Sequence, residues 1–399
     1  MKFVKPSAAP DVNFPPLTLA PVVDSRHAWA ALYLHIPDGG GSRALLALPS
    51  LFGDLGLGAA LSELDLIVPL HQPQALTADL MATLPAEKMV LCLPLAHCID
   101  PAMEATLQTL RQKGFRLMAD AMPAPDAQLA PSVTAVASAD AASLKALGPL
   151  PGPHLAQGVD SLDRFELCHR EGYRWFAGDY PLHPRPVQRQ QQGSSRSLLL
   201  RLLAMVTSDA DSKEIEALLK QDPTLSYHLL KLVNSVSFAL TTNITSFSYA
   251  ITLLGRRQLQ RWLQLLLYAQ QRHGDEASPL LARAARRASM MEALCEAAGG
   301  NKEAQEHAFM TGMFSLLDAL FSMPLEKIVT PLHLSDDIEE GLISHGGWLG
   351  RLLYLVEQSE QVATDRLADE LEALLLTSAD YLRTQIRATA WAIQVSRDA

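Results

Sequence analysis

The chain has 399 residues, 48% of them hydrophobic and 19% charged, which is too apolar for a disordered chain and long enough for two or three domains. Lys and Arg number 33 against 43 Asp and Glu, a formal charge of −10, so the overall basic character typical of nucleic-acid binders is excluded and no nucleic acid is expected as a partner. Cys92, Cys98, Cys168 and Cys295 form no C-x-x-C pair, and no stretch approaches the roughly 18 apolar residues of a membrane span, so the expectation is a soluble, cytoplasmic protein.

The first residues, MKFVKPSAAPDVNFPP, hold no apolar run of a secretory signal, and residues 1–24 read as an N-terminal tail. From 25 to 187 short apolar runs alternate with helical stretches. Trp29 to Ile36, Leu64 to Leu70 and Met89 to Leu93 read as strands, Pro101 to Lys113 as a helix closed by Gly114, and FRLMAD at 115–120 as the next strand. This alternation predicts βα units with a mainly parallel sheet. Gly39, Gly40 and Gly41 follow the first run, but without G-x-G-x-x-G or a G-K-[ST] ending they read as a strand-exit turn.

His183 to Ser197 is polar, Pro-containing and Gln-rich, with 188–197 as the linker proper, and Arg185, Arg189 and Arg196 read as its solvated charges. From 198 to 399 nearly every segment reads as helix. Leu198, Leu199, Leu202, Leu203 and Val206 share one face, and Asp211 or Ser212 caps the next helix, with Glu214 and Glu216 in its first turn. Asp222-Pro223 ends that helix, and others follow to Val395, the last expected to pack on this domain or on a partner.

The residues alone reveal no catalytic set. His97, His228, His307, His333 and His345 stand apart and read as surface or core histidines; there is no H-E-x-x-H, adjacent His-Asp pair or G-x-S-x-G. Arg256, Arg257 and Arg261, beside Trp262, form one basic group, and Arg283, Arg286 and Arg287 another. Both read first as solvated helix surface; the first group, with Trp348, also supplies a candidate interaction surface.

Two resemblances add to this reading. IEALLKQDPTLSYHLLKLVNS (215–235), ITSFSYAITLLGRRQLQRWLQLLL (244–267) and HAFMTGMFSLLDAL (307–320) resemble an HDOD domain, the catalytically incomplete relative of the HD phosphohydrolases. The motif residues are Asp222, Pro223, Leu225, Leu229, Leu230, Asn234 and Ser235, followed by the pattern ending at Gly255. In the G-L-L-H-D-I-G frame of active HD enzymes, Ser315 and Leu316 occupy the metal-ligand positions, and the upstream helix LARAARRASMME has no histidine.

LPAEKMVLCLP (84–94), LRQKGFRLMADAMP (110–123) and LAQGVDSLDRFELCHREGYRWFAGDYPLHPRPV (155–187) are similar in order to an EAL domain, the cyclic-di-GMP phosphodiesterase module, shortened between Ile36 and Leu64. The implied fold class is α/β plus all-α: a degenerate, truncated EAL-type (TIM-like) barrel followed by an HDOD helical bundle. EAL phosphodiesterases hold two hard divalent cations with oxygen ligands. Here the E-x-L stretch matches ALYLHI (31–36) without a glutamate, and Cys92 stands at the glutamate of V-L-E-I. Asp120 keeps the first aspartate of L-D-D-F and Ala121 replaces the second. Ala135 and Ala137 replace the lysine and the second aspartate of D-x-x-K-x-D, Asp160 replaces the V-E-T glutamate, and Ala177 and Asp179 replace the Gln and Tyr of Q-G-Y. A thiol does not substitute for a hard ligand.

The resulting expectation is a non-enzymatic signalling or scaffold protein with no metal, cofactor or cyclic-di-GMP bound. Its partners would be other signalling proteins or a second copy of itself. The alternatives are a nucleotide or anion sensor, using the relic pocket or the Asn234/Ser235 and Arg256/Arg257 region, and residual phosphodiesterase activity.

Overall fold

The computed structural model describes residues 15–36, 42–140 except 62, 144, 150–183, 193–207, 210–219, 258–269 except 262, 278–360 and 367–398. Its contacts separate two units, Met1–His183 with Leu355–Arg387, and Pro184–Tyr354 with Ala388–Ala399.

The first unit is built on a closed eight-stranded barrel. Its strands, in sequence order around the barrel, are β1 (Thr18–Val23), β2 (Trp29–His35), β3 (Asp65–Pro69), β4 (Met89–Leu93), β5 (Arg116–Ala119), β6 (Ala135–Ser138), β7 (Leu155–Ala156) and β8 (Trp175–Phe176). From β2 to β8 all neighbours are parallel, while β1 runs antiparallel to both β2 and β8. Helices α1 (Ser42–Phe52), α2 (Glu104–Gln112) and α3 (Leu162–Glu171) supply crossovers between parallel strands. Although the stretch between Ile36 and Leu64 is short, α1 bridges it and the barrel closes.

The strands read as apolar runs because both faces are covered. All five residues of β4 are buried. The two-residue period turns Val90 and Cys92 inward to meet Ala31, Ile67, Met118, Ala135, Ala137 and Leu155. Ser161 caps α3 by accepting from the Arg164 N–H, and Gly172 ends it in the left-handed region at φ 110°.

Strand β1 corrects the expectation of a tail over 1–24. Its run TLAPVV contains Pro21, which argues against a central strand on sequence grounds. The structure tolerates it because β8 reaches β1 only at Val23. On that sparsely paired edge, the Leu19 N–H instead donates to Gln385 Oε1 at 2.9 Å, and Gln385 Nε2 donates to the Leu17 carbonyl at 3.1 Å. These bonds also explain a difference from the expected domain limits: residues 355–387, read as part of one helical domain over 198–399, group with the barrel.

The second unit is helical. Helix α4 (Gly193–Thr207) opens inside the stretch read as linker, 188–197. Helix α5 (Ser212–Leu219) starts where expected, the Asp211 carbonyl accepting from the Glu214 and Ile215 N–H groups. Then follow α6 (Pro279–Ala297), capped by Ser278, α7 (Lys302–Phe314), capped by Asn301, and α8 (Asp336–Ser344), while α9 (Gly347–Gln358) and α10 (Ser378–Asp398) are each divided between the two units. Helices α6 and α7 touch at Gly312, where a Cβ would lie 2.7 Å from both the Ala288 Cα and the Arg287 carbonyl oxygen. Among the described residues no single helix is long and apolar enough to cross a membrane.

Candidate site at the barrel mouth

The residues matched to the EAL site lie on the barrel strands or just past their carboxyl ends. Cys92 lies on β4, Asp120 and Ala121 directly follow β5, Ala135 and Ala137 lie on β6, Asp160 follows β7 and Ala177 follows β8. Cys92, Ala135 and Ala137 are buried in the apolar lining, and Ala177 packs against it. Ala121 is half-buried beside them.

The two remaining carboxylates are exposed and already engaged. Asp120 Oδ1 accepts from the Leu95 N–H at 2.8 Å, tying the end of β5 to the turn after β4. Asp160 Oδ1 accepts from Ser161 Oγ at 3.0 Å, next to the cap of α3.

Sequence reading missed Tyr33, Gln157 and His35. Within ALYLHI, Tyr33 packs against the inner cluster that contains Cys92, with Gln157 near its hydroxyl. Burial raises the Tyr33 hydroxyl well above its ordinary value, reinforced by Cys92. Burial, together with the Asp120 charge, pushes the Cys92 thiol up to about 12. His35 lies 4.9 Å from the Tyr33 ring, centroid to centroid, and burial lowers it to about 4. At neutral pH the mouth thus presents a phenol, a thiol, a neutral imidazole and methyl groups beside the exposed Asp120 and Asp160. The two-residue period was the signal that could have placed Tyr33 beside Cys92.

A pair of hard divalent cations, which the resemblance implies, does not fit this donor set. A protonated thiol and two alanines offer no oxygen ligand, and Asp120 spends an oxygen on a backbone N–H. Among the described residues no three His, Cys, Asp or Glu side chains are grouped to hold a metal.

In the second unit Ser315 ends α7, donates to the Gly312 carbonyl at 2.8 Å and accepts from the Arg287 guanidinium at 3.0 Å. Leu316 is buried. A guanidinium therefore faces the serine at the HD ligand position. This corrects the reading of Arg283, Arg286 and Arg287 as solvated surface: all three are buried, and Arg286 Nε donates to Thr389 Oγ1 at 3.3 Å. Arg261 is likewise not a free surface charge. Its guanidinium meets the Glu292 carboxylate at 2.5 and 3.2 Å and lies 4.1 Å over the Phe309 ring. Trp348 is half-buried. Asp222, Pro223, Asn234, Ser235, Gly255, Arg256 and Arg257 lie outside the described residues.

Comparison with known proteins finds similarity for parts of the chain. Residues 195–324 match the HDOD domain family. The cyclic di-GMP phosphodiesterase CdgJ of Vibrio cholerae serotype O1 is 28% identical over 246 residues, covering 61% of this chain and 56% of that protein. An uncharacterized Bacillus subtilis protein, YuxH, is 27% identical over 211 residues, 52% of this chain and 51% of its own length. The chain thus spans about half the length of the curated relatives it matches. Among solved structures, the EAL domain of Mycobacterium smegmatis DcpA aligns with 42% of this chain and 90% of its own, at 15% identity and a TM-score of 0.34. The chain is thus a closed eight-stranded barrel followed by a helical region that matches the HDOD domain family, with a relative named for cyclic di-GMP. The expectation that it is not an enzyme is overturned by the Vibrio cholerae relative, which bears the name of a phosphodiesterase.

Proposed function

We propose that this chain serves cyclic-di-GMP-related signalling by docking other signalling proteins, a second copy of itself included. The observation that carries this reading is the lining of the barrel mouth, where Cys92, Ala135, Ala137 and Ala177 turn a polar cradle into an apolar plug. The barrel is closed and its lining around Cys92 is apolar, which leaves its outer surface available for contact with other proteins. Sedimentation of the full chain, alone and with tagged cyclic-di-GMP signalling proteins from its host, tests this. A complex of defined stoichiometry is expected, and sedimentation of the chain alone as a monomer with every candidate would remove the proposal.

A second reading is favoured by the name of the Vibrio cholerae relative: turnover of cyclic di-GMP. Asp120 and Asp160 are the carboxylates at the strand ends that would carry it. Linearised dinucleotide, measured by ion-exchange chromatography with magnesium or manganese added, would support it if Asp120→Asn and Asp160→Asn each abolish the product. Product formation indifferent to both substitutions would dismiss it.

A further inference from the structure

The opposite end of the barrel holds a cleft that neither reading uses. Its lining comes from residues 150–154, which lead into β7, and 170–174, which lead from α3 into β8. It therefore opens at the amino ends of the parallel strands, whereas Asp120 and Asp160 follow the carboxyl ends of β5 and β7. Its volume is about 420 Å³, within the range of small-molecule pockets. We propose that this cleft binds the phosphate group of a small phosphorylated molecule.

Among the described residues, the charge in the cleft comes from four side chains, Arg170, Arg174, Glu171 and His154. Arg170 Nε donates to the Glu166 carbonyl at 3.4 Å, and one terminal nitrogen of Arg174 donates to the Tyr173 carbonyl at 3.1 Å. The other guanidinium N–H groups of both arginines meet no acceptor among the described residues, and neither arginine pairs with a carboxylate there. His154 adds no charge at neutral pH. Burial lowers it, and its Nδ1 accepts from the Val136 N–H at 3.2 Å, which makes that nitrogen the unprotonated one. Two guanidinium groups against one glutamate leave the cleft positive within an acidic protein.

The backbone supports the same use. The carboxyl end of a helix ordinarily repels an anion. Here the last carbonyls of α3 are turned onto the chain itself: Gly172 N–H donates to His169 O and Tyr173 N–H to Cys168 O. Gly172 at φ 110° permits that turn, and a Cβ there would come 3.3 Å from the Leu144 side chain that forms the opposite wall. Leu144, Leu150, Pro151 and Pro153 make that wall apolar, suited to the ring or sugar body of the ligand, while Arg170 and Arg174 take its oxygens.

Calorimetric titration of the full chain with a purine nucleoside monophosphate, GMP, tests the assignment, alongside inorganic phosphate and unphosphorylated guanosine. Saturable binding of GMP at one site is expected, with phosphate weaker and guanosine silent. Arg170→Ala and Arg174→Ala should each weaken GMP about tenfold or more, and Arg174→Lys should retain part of the affinity. Both arginines are exposed, so these variants fold, which circular dichroism verifies. GMP binding unchanged in both alanine variants, guanosine binding as tightly as GMP, or no saturable heat from GMP at millimolar concentration would each overturn the proposal.

Discussion

Leu19 and Gln385 are 366 residues apart in the chain and are joined by a buried hydrogen bond, Leu19 N–H to Gln385 Oε1. With the return bond from Nε2 to the Leu17 carbonyl, the side-chain amide acts as one more rung of the sheet beside β1. Both residues are completely buried. Gln385→Ala would remove the acceptor of the buried Leu19 N–H and the donor to the buried Leu17 carbonyl. A loss of about 2–4 kcal/mol in unfolding free energy is expected, since each unsatisfied buried group costs roughly 1–3 kcal/mol. Urea unfolding measures it, and a change under 0.5 kcal/mol would mean that water replaces the amide.

The cysteines should be chemically silent in the folded protein. All four are free and buried. Burial pushes Cys92, Cys98 and Cys295 up to about 12 and also raises Cys168, so at pH 8 their reactive thiolate fraction is very small. An Ellman titration at pH 8 should release almost no chromophore until urea is added, and then four equivalents per chain. Rapid labelling of one thiol without denaturant would contradict the apolar mouth around Cys92.

These two cases show what could be read in advance. The β4 run MVLCL was legible because a strand covered on both faces leaves a continuous apolar signature. That Cys92 lies on a strand and Asp120 just past one was legible for the same reason, since both belong to short apolar runs. Strand β1 was not, because Pro21 looks like a strand breaker until the partner missing from its edge is known. Gln385 carried no signal, since a single amide in a helix has no period and its partners are backbone atoms far away in sequence. The burial of Arg286 and Arg287 was hidden for a related reason. Charge predicts exposure, and only tertiary packing brings Thr389 and Ser315 to their guanidinium groups.

Packing of α6 on α7 rests on the absence of a side chain at Gly312. A Cβ there would stand 2.7 Å from Ala288 Cα, a backbone-linked atom that cannot rotate away. Gly312→Ala must therefore separate the two helices, and a destabilisation of about 1–3 kcal/mol or more is expected despite the higher helix propensity of alanine. Thermal unfolding monitored by circular dichroism reads it. A neutral or raised melting temperature would show that the helices shift without cost.

His35 gives the barrel a pH dependence with a definite sign. Burial holds its folded pKa near 4, below the ordinary value of 6.5, so the folded barrel keeps it neutral. The unfolded chain takes up a proton on this residue as pH falls below 6.5, while the folded chain resists until about 4. Stability from this residue is therefore fully present above pH 6.5, declines through the interval and levels off below pH 4, a loss on the order of 3 kcal/mol. His35→Gln removes the titrating group while keeping a polar side chain of similar length. Plotted as unfolding free energy against pH, the variant should show a shallower slope between 6.5 and 4 than the parent. Parallel slopes would mean that the folded protein already admits the proton, and that water reaches Tyr33 and His35 at the mouth of the barrel.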